Sequence, residues 1–128
     1  DGITYVGRTD SRRALAREYS AATILVNPTH ADTFPQNNRE ALACGTPVVS
    51  RDIFGAVEGL CGSGSPVFAA VSDDGLLAHV RRCLAEYSDP GAMQDASAAA
   101  RRVAESLYGG APNMMRLFDV YRRAAMAR

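Results

Sequence analysis

The chain contains no lysine: all fourteen basic residues are arginine, and fourteen acidic residues bring the formal net charge to zero. The arginine bias reads as a mark of GC-rich coding rather than of chemistry, and a neutral chain offers no footprint for a nucleic acid or another polyanion. Cysteine is scarce. Cys44, Cys61 and Cys83 are odd in number and scattered, with no Cys-x-x-Cys or Cys/His ligand spacing. That argues against a disulfide framework or a zinc site and fits a reducing, cytoplasmic compartment. No apolar run approaches the ~20 residues of a membrane span, and Asp1-Gly2-Ile3 has neither a basic region nor a signal-peptide core. The chain also lacks an initiator methionine and reads as a piece of a longer protein.

What is present suffices for one compact domain, because 128 residues with 47% apolar composition can bury a core. Short β-branched runs alternate with helical patterns. Ile3-Thr4-Tyr5-Val6 reads as a strand ending at Gly7, Asp10 or Ser11 as the cap of a helix through Tyr19, and Thr23 to Val26 as a second strand. Val48-Val49 opens a third strand, and Pro66-Val67-Phe68 is a weaker one. Such alternation predicts an α/β fold with a parallel sheet. The remainder is helical. Asp73 or Asp74 can cap Leu76 to Tyr87, with Leu77, Val80, Leu84 and Tyr87 as its apolar stripe. Asp89-Pro90-Gly91 separates it from an alanine-rich helix over 92–107, and Pro112 opens a last helix in which Met115, Phe118 and Tyr121 recur at helical spacing. The Gly-Ser-rich stretch 61–65 reads as a turn, since Gly62-x-Gly64 lacks the third glycine of a dinucleotide fingerprint.

The most informative stretch is Asn27 to Ser50. Asn27-Pro28 halts the strand, Pro35 suits the start of a helix, and Gly45 stands where a left-handed residue closes one. Asp32 lies before the helix Gln36–Cys44 and Glu40 about one turn inside it. Between them fall the backbone N–H groups of Phe34, Gln36, Asn37 and Asn38. Unpaired amides at the positive end of a helix suit a phosphate, and ionised carboxylates accept hydrogen bonds from sugar hydroxyls. A nucleotide-sugar has this polarity.

A carboxylate, seven residues and a glutamate, followed by Ala-Leu-Ala-Cys-Gly-Thr-Pro-Val-Val, resembles the donor-binding signature of the retaining, nucleotide-sugar-dependent glycosyltransferases of the GT-B fold, the glycosyl transferases group 1 family. The Asn-Pro-Thr before it and the Asp-Thr-Phe-Pro inside it are most similar to members that build bacterial capsular and other surface polysaccharides. Most members carry glutamate where Asp32 stands, and aspartate keeps the charge with one methylene less. The resemblance implies a partial doubly wound, Rossmann-like parallel sheet, the C-terminal part of a donor domain, with a core over 1–70 and a helical part over 71–128. It implies donor sugar and phosphate contacts at Asp32, Phe34, Pro35, Gln36 and Asn37, ribose contacts at Glu40, and base-proximal positions at Gly7, Arg8 and Thr9. Gly55 and Glu58 match a further glycine-rich element of the family, while Phe54 replaces its first glycine.

The resemblance further implies no cofactor and no metal. The partners would be a nucleotide-sugar donor and a glycan acceptor held by another domain, with the enzyme in the cytoplasm or peripheral at the inner face of the membrane. The family's diphosphate-holding arginine and lysine lie upstream of the present chain, so turnover by the chain alone is not expected. A doubly wound sheet lacking its first strands leaves a strand edge unpaired, open to a second copy or to a rearranged helix. No Ser/His/Asp or Cys/His arrangement arises from spacing, and no catalytic residue is assigned. His30 and His79 read as non-ligands, and Arg39 as a solvated residue on the outer side of its helix. A sugar-nucleotide epimerase of the same architecture and a non-catalytic binding module remain as alternatives.

Overall fold

A computed structural model describes residues 2–53 and 65–126. The elements are α1 (Arg12–Ala21), β1 (Leu25–Asn27), α2 (Gln36–Ala43), β2 (Val48–Arg51), β3 (Val67–Ala70), α3 (Asp73–Glu86), α4 (Pro90–Tyr108) and α5 (Gly110–Met126). The three strands form one parallel sheet in the order β1-β2-β3, with Leu25 opposite Val48 and Val48 opposite Val67. Parallel strands are covered on both faces, so their side chains alternate between two cores rather than between core and water. On one face Val48 and Val67 meet Ala41 and Leu42 of α2 and Ala100 and Ala104 of α4, with Leu25 and Tyr19 at the margin. On the other, Val49 and Ala70 meet Leu76, Cys83 and Tyr87, with Ala92, Met93 and Ala96 against them. Helix α4 thus contributes its first half to one core and its second half to the other. Leu42, Val48 and Val49 are fully buried, each adding roughly 1.5–3 kcal/mol of apolar transfer.

The result is an α/β, Rossmann-like fold, and several local expectations need correction. Residues 3–6 form no strand, and Ile3 and Tyr5 are 96% and 94% exposed. The consecutive order β1-β2-β3 corresponds to the 4-5-6 half of the doubly wound order 3-2-1-4-5-6. A third strand belongs at the far edge of that sheet and has no neighbour here, so its backbone finds no ladder. Ser72, not Asp73 or Asp74, caps α3, its hydroxyl accepting from the Gly75 N–H at 3.1 Å, while the two aspartates occupy the first turn, where the helix dipole favours them. Of the stripe expected on α3, Tyr87 is buried and Val80 packs against the same core. Leu76 and Cys83 are buried, whereas Leu77 and Leu84 face outward. Met115, Phe118 and Tyr121 of α5, which recur at helical spacing, are exposed.

Caps elsewhere follow the chemistry of the residues present. The Ser11 hydroxyl accepts from the Ala14 N–H, and the Asp89 carboxylate from the Ala92 N–H with Pro90 in the first turn. Gly45 closes α2 with φ of +84°. Phe54, Gly55, Glu58 and the Gly62-x-Gly64 turn lie outside the described residues. Among those described, no helix is long and apolar enough to cross a membrane, and no cluster of His, Cys, Asp and Glu could hold a metal ion.

Candidate functional site

In open α/β sheets ligands bind beyond the carboxyl ends of the strands. Here that end is occupied by the loop from Asn27 to Pro35 and the start of α2. The loop is built by short polar side chains: the Thr29 N–H donates to Asn27 Oδ1 at 3.3 Å, and the Phe34 N–H to Asp32 Oδ1 at 2.9 Å. Pro35 is the N-cap and supplies no side-chain acceptor. The Asn38 N–H is taken by Asn37 Oδ1 at 3.0 Å. Of the four amides expected to form the cradle, Phe34 and Asn38 are therefore engaged within the chain. Among the described residues nothing accepts from the N–H groups of Gln36 and Asn37, the first two helical positions. Asp32 itself is exposed and turns the loop, and Phe34 is 53% exposed.

Behind this surface lies a buried amide network. Asn38, fully buried, accepts from Asn27 Nδ2 at 2.9 Å and donates through Nδ2 to Ser50 Oγ at 3.4 Å. It joins the ends of β1 and β2 to α2 and fixes how the helix start is presented. Its signature was available in the sequence, because Asn38 lies three and four residues before the core residues Ala41 and Leu42 and so shares their face.

Glu40 is exposed, and its Oε2 accepts from the Tyr19 hydroxyl at 3.2 Å. Desolvation, then the charge of Glu40, pushes the Tyr19 phenol up to about 12. Tyr19 is itself anchored, because Thr46 Oγ1 donates to its carbonyl at 2.6 Å. Spacing gave no hint of this partner from α1.

Arg39 is not solvated as expected. Its guanidinium lies over the Phe34 ring and 4.9 Å from the centroid of Tyr108, and its Nε and Nη1 are buried with no hydrogen-bond partner among the described residues. Phe34, Gln36, Arg39 and Glu40 line one side of a cleft of about 510 Å³ whose other side is α4, including Arg101, Glu105 and Tyr108. Arg101 is committed elsewhere, reaching the Cys44 carbonyl at the end of α2 at 3.4 Å.

The structure thus brings Phe34, Gln36 and Glu40 to one cleft, with Pro35 buried beneath its rim. Asp32 does not line it, and Asn37 lies on the loop side of the helix start, where Asn27 Nδ2 reaches its Oδ1 at 3.4 Å. Gly7, Arg8 and Thr9 lie in irregular chain before α1 and line neither cleft that Glu40 borders. His30 is exposed, and His79 packs against Phe68 with ring centroids 5.7 Å apart. A second cleft, of about 620 Å³, is lined by Arg82, Glu86, Asp95 and Arg102 around the amino end of β3, away from the strand ends that favour ligands.

The three-stranded parallel sheet flanked by helices places the chain in the class of Rossmann-like α/β domains. Residues 1–98 match the family described as Glycosyl transferases group 1, and the chain belongs to that family. It is similar to a D-inositol 3-phosphate glycosyltransferase 1 of Catenulispora acidiphila, 36% identical over 110 residues. The match covers 86% of this chain and 26% of that protein, so the chain spans about a quarter of its relative's length.

Proposed function

We propose that the chain is the donor-binding part of a retaining glycosyltransferase that moves a sugar from a nucleoside diphosphate onto a glycan acceptor in surface-polysaccharide synthesis, at the cytoplasmic side of the membrane. In this reading Glu40 accepts hydrogen bonds from the ribose diol. The Gln36 and Asn37 amides face sugar or phosphate, with Phe34 and Pro35 shaping the approach, and Asp32 takes sugar hydroxyls in exchange for part of its loop-turning role. Gly7, Arg8 and Thr9 remain the base-proximal proposal, to be brought near by parts of a longer protein. Transfer also needs charge stabilisation on the departing diphosphate and an aligned acceptor hydroxyl. The domain that would hold the acceptor, and the upstream arginine and lysine, complete the machinery, so the chain alone is proposed to be inactive.

The observation that carries this reading is the pairing of open amides at Gln36 and Asn37 with the Glu40 carboxylate one turn further along α2, in a chain of this family. The free side of β1, which has one strand neighbour among those described, is proposed to pair with strands of the longer protein or a second copy. The similarity to a D-inositol 3-phosphate glycosyltransferase favours a second acceptor reading, an inositol phosphate in place of a glycan. Calorimetry of the intact protein with uridine and guanosine diphosphates tests the donor assignment. Glu40→Ala should weaken the diphosphate that binds by about tenfold or more, and unchanged affinity would remove the ribose role. Turnover of a nucleotide-sugar without any acceptor would identify an epimerase instead.

A further inference from the structure

We propose that Arg39 is a ligand of the donor's diphosphate, supplied by α2 itself in addition to any cations from upstream. This rests on the nucleotide-sugar reading above and extends it. The guanidinium lies over the Phe34 ring, and its carbon is 4.9 Å from the centroid of the Tyr108 ring. Aromatic faces are favourable for a cation, but they satisfy none of its N–H groups. Nε and Nη1 are buried and have no acceptor among the described residues. A buried charged donor left unpaired is costly, so an acceptor that reaches the guanidinium as the half-exposed Phe34 ring gives way gains more at Arg39 than at a cation already bonded. The other cation beside it, Arg101, is engaged with the Cys44 carbonyl.

A guanidinium carries its N–H groups along a planar edge, and pairs of them match two oxygens of a phosphate. The order of groups also fits. Arg39 and Glu40 are consecutive residues lining one cleft of about 510 Å³, and diphosphate and ribose are consecutive groups of a nucleoside diphosphate. A carboxylate for the diol and a guanidinium for the phosphates, side by side on one helical turn, form a charge-complementary pair for that ligand.

Calorimetry of the intact protein with uridine and guanosine, and with their diphosphates, separates the two roles. Arg39→Gln should weaken the diphosphate that binds by about ten- to a hundredfold while leaving its nucleoside within about twofold. Arg39→Lys should recover only part of that loss, because an ammonium is a point charge without the planar edge. Should the glutamine variant fail to fold, the lysine variant carries the test through the same diphosphate-specific loss. If Arg39→Gln weakens nucleoside and diphosphate equally, or neither, Arg39 only props the cleft and the inference is wrong. Glu40→Ala, measured alongside, should weaken both ligands. If it changes neither while Arg39→Gln acts on the diphosphate, the ribose assignment fails and the Arg39 role stands. Binding of neither diphosphate overturns both.

Discussion

Replacing Gly45 by alanine is expected to destabilise the domain by about 2–5 kcal/mol. Gly45 closes α2 with φ of +84°, a conformation that costs an L-residue with a Cβ roughly 1–2 kcal/mol. The added carbon would also stand 2.5 Å from Ser97 Oγ and 2.8 Å from Arg101 Nε on α4. Overpacking of this kind adds about 1–3 kcal/mol, with the low end applying where side chains can turn away. Ser97 can rotate, but moving Arg101 loosens its contact with the Cys44 carbonyl and with it the seam between α2 and α4. Urea unfolding followed by circular dichroism measures the change through the midpoint at constant slope. Ser97→Ala in the Gly45→Ala background should recover part of the loss, the collision, and leave the conformational part. A cost below about 1 kcal/mol, or complete recovery by Ser97→Ala, would refute the reasoning.

Asn38→Ala should cost about 2 kcal/mol or more, because it removes the nearer acceptor of the buried Asn27 amide, at 2.9 Å, and the donor to Ser50 Oγ, leaving Asn27 only the longer bond to Asn37; a neutral effect in the same unfolding assay would show the network to be dispensable. Phe118→Ser should change stability by less than about 0.5 kcal/mol, since the ring is 64% exposed; a large loss would place α5 in a core. The Tyr19 phenol, raised by desolvation and by Glu40 to about 12, holds its proton more tightly in the folded state than in the unfolded one. Its contribution is therefore complete below pH 10 and lost as pH rises towards 12. Tyr19→Phe should flatten the fall in stability over that window, and an unchanged pH profile would count against the Tyr19–Glu40 contact.

The elements around the donor signature were legible because local rules act there without long-range competition. Asn27-Pro28 stops a strand, Pro35 opens α2, and Gly45 can take the left-handed conformation that ends it. Val48 and Val49, apolar on consecutive positions, announced a strand covered on both faces. What failed depended on distant partners. Ile3 to Val6 has the composition of a strand, but a strand needs a ladder, and none adjoins it. Ser72 rather than Asp73 caps α3, and Leu76 and Cys83 rather than Leu77 and Leu84 take places in the core, which the packing of the sheet decides. At the site, the carboxylates could be named from their spacing, whereas Asp32 spending an oxygen on the Phe34 amide could not. Nor could the partners supplied by other helices, Tyr19 to Glu40 and Tyr108 to Arg39, which lie 21 and 69 residues away along the chain.

The central claim is that a nucleotide-sugar is held where β1 gives way to α2. Backbone amide shifts of the isotopically labelled intact protein, followed during titration with uridine or guanosine diphosphate, test it most directly. The perturbed amides should cluster at Phe34, Gln36, Asn37 and Glu40 and extend to Tyr19. Perturbations confined to the other cleft, around Arg82, Asp95 and Arg102, with Gln36 and Asn37 unmoved, would contradict it.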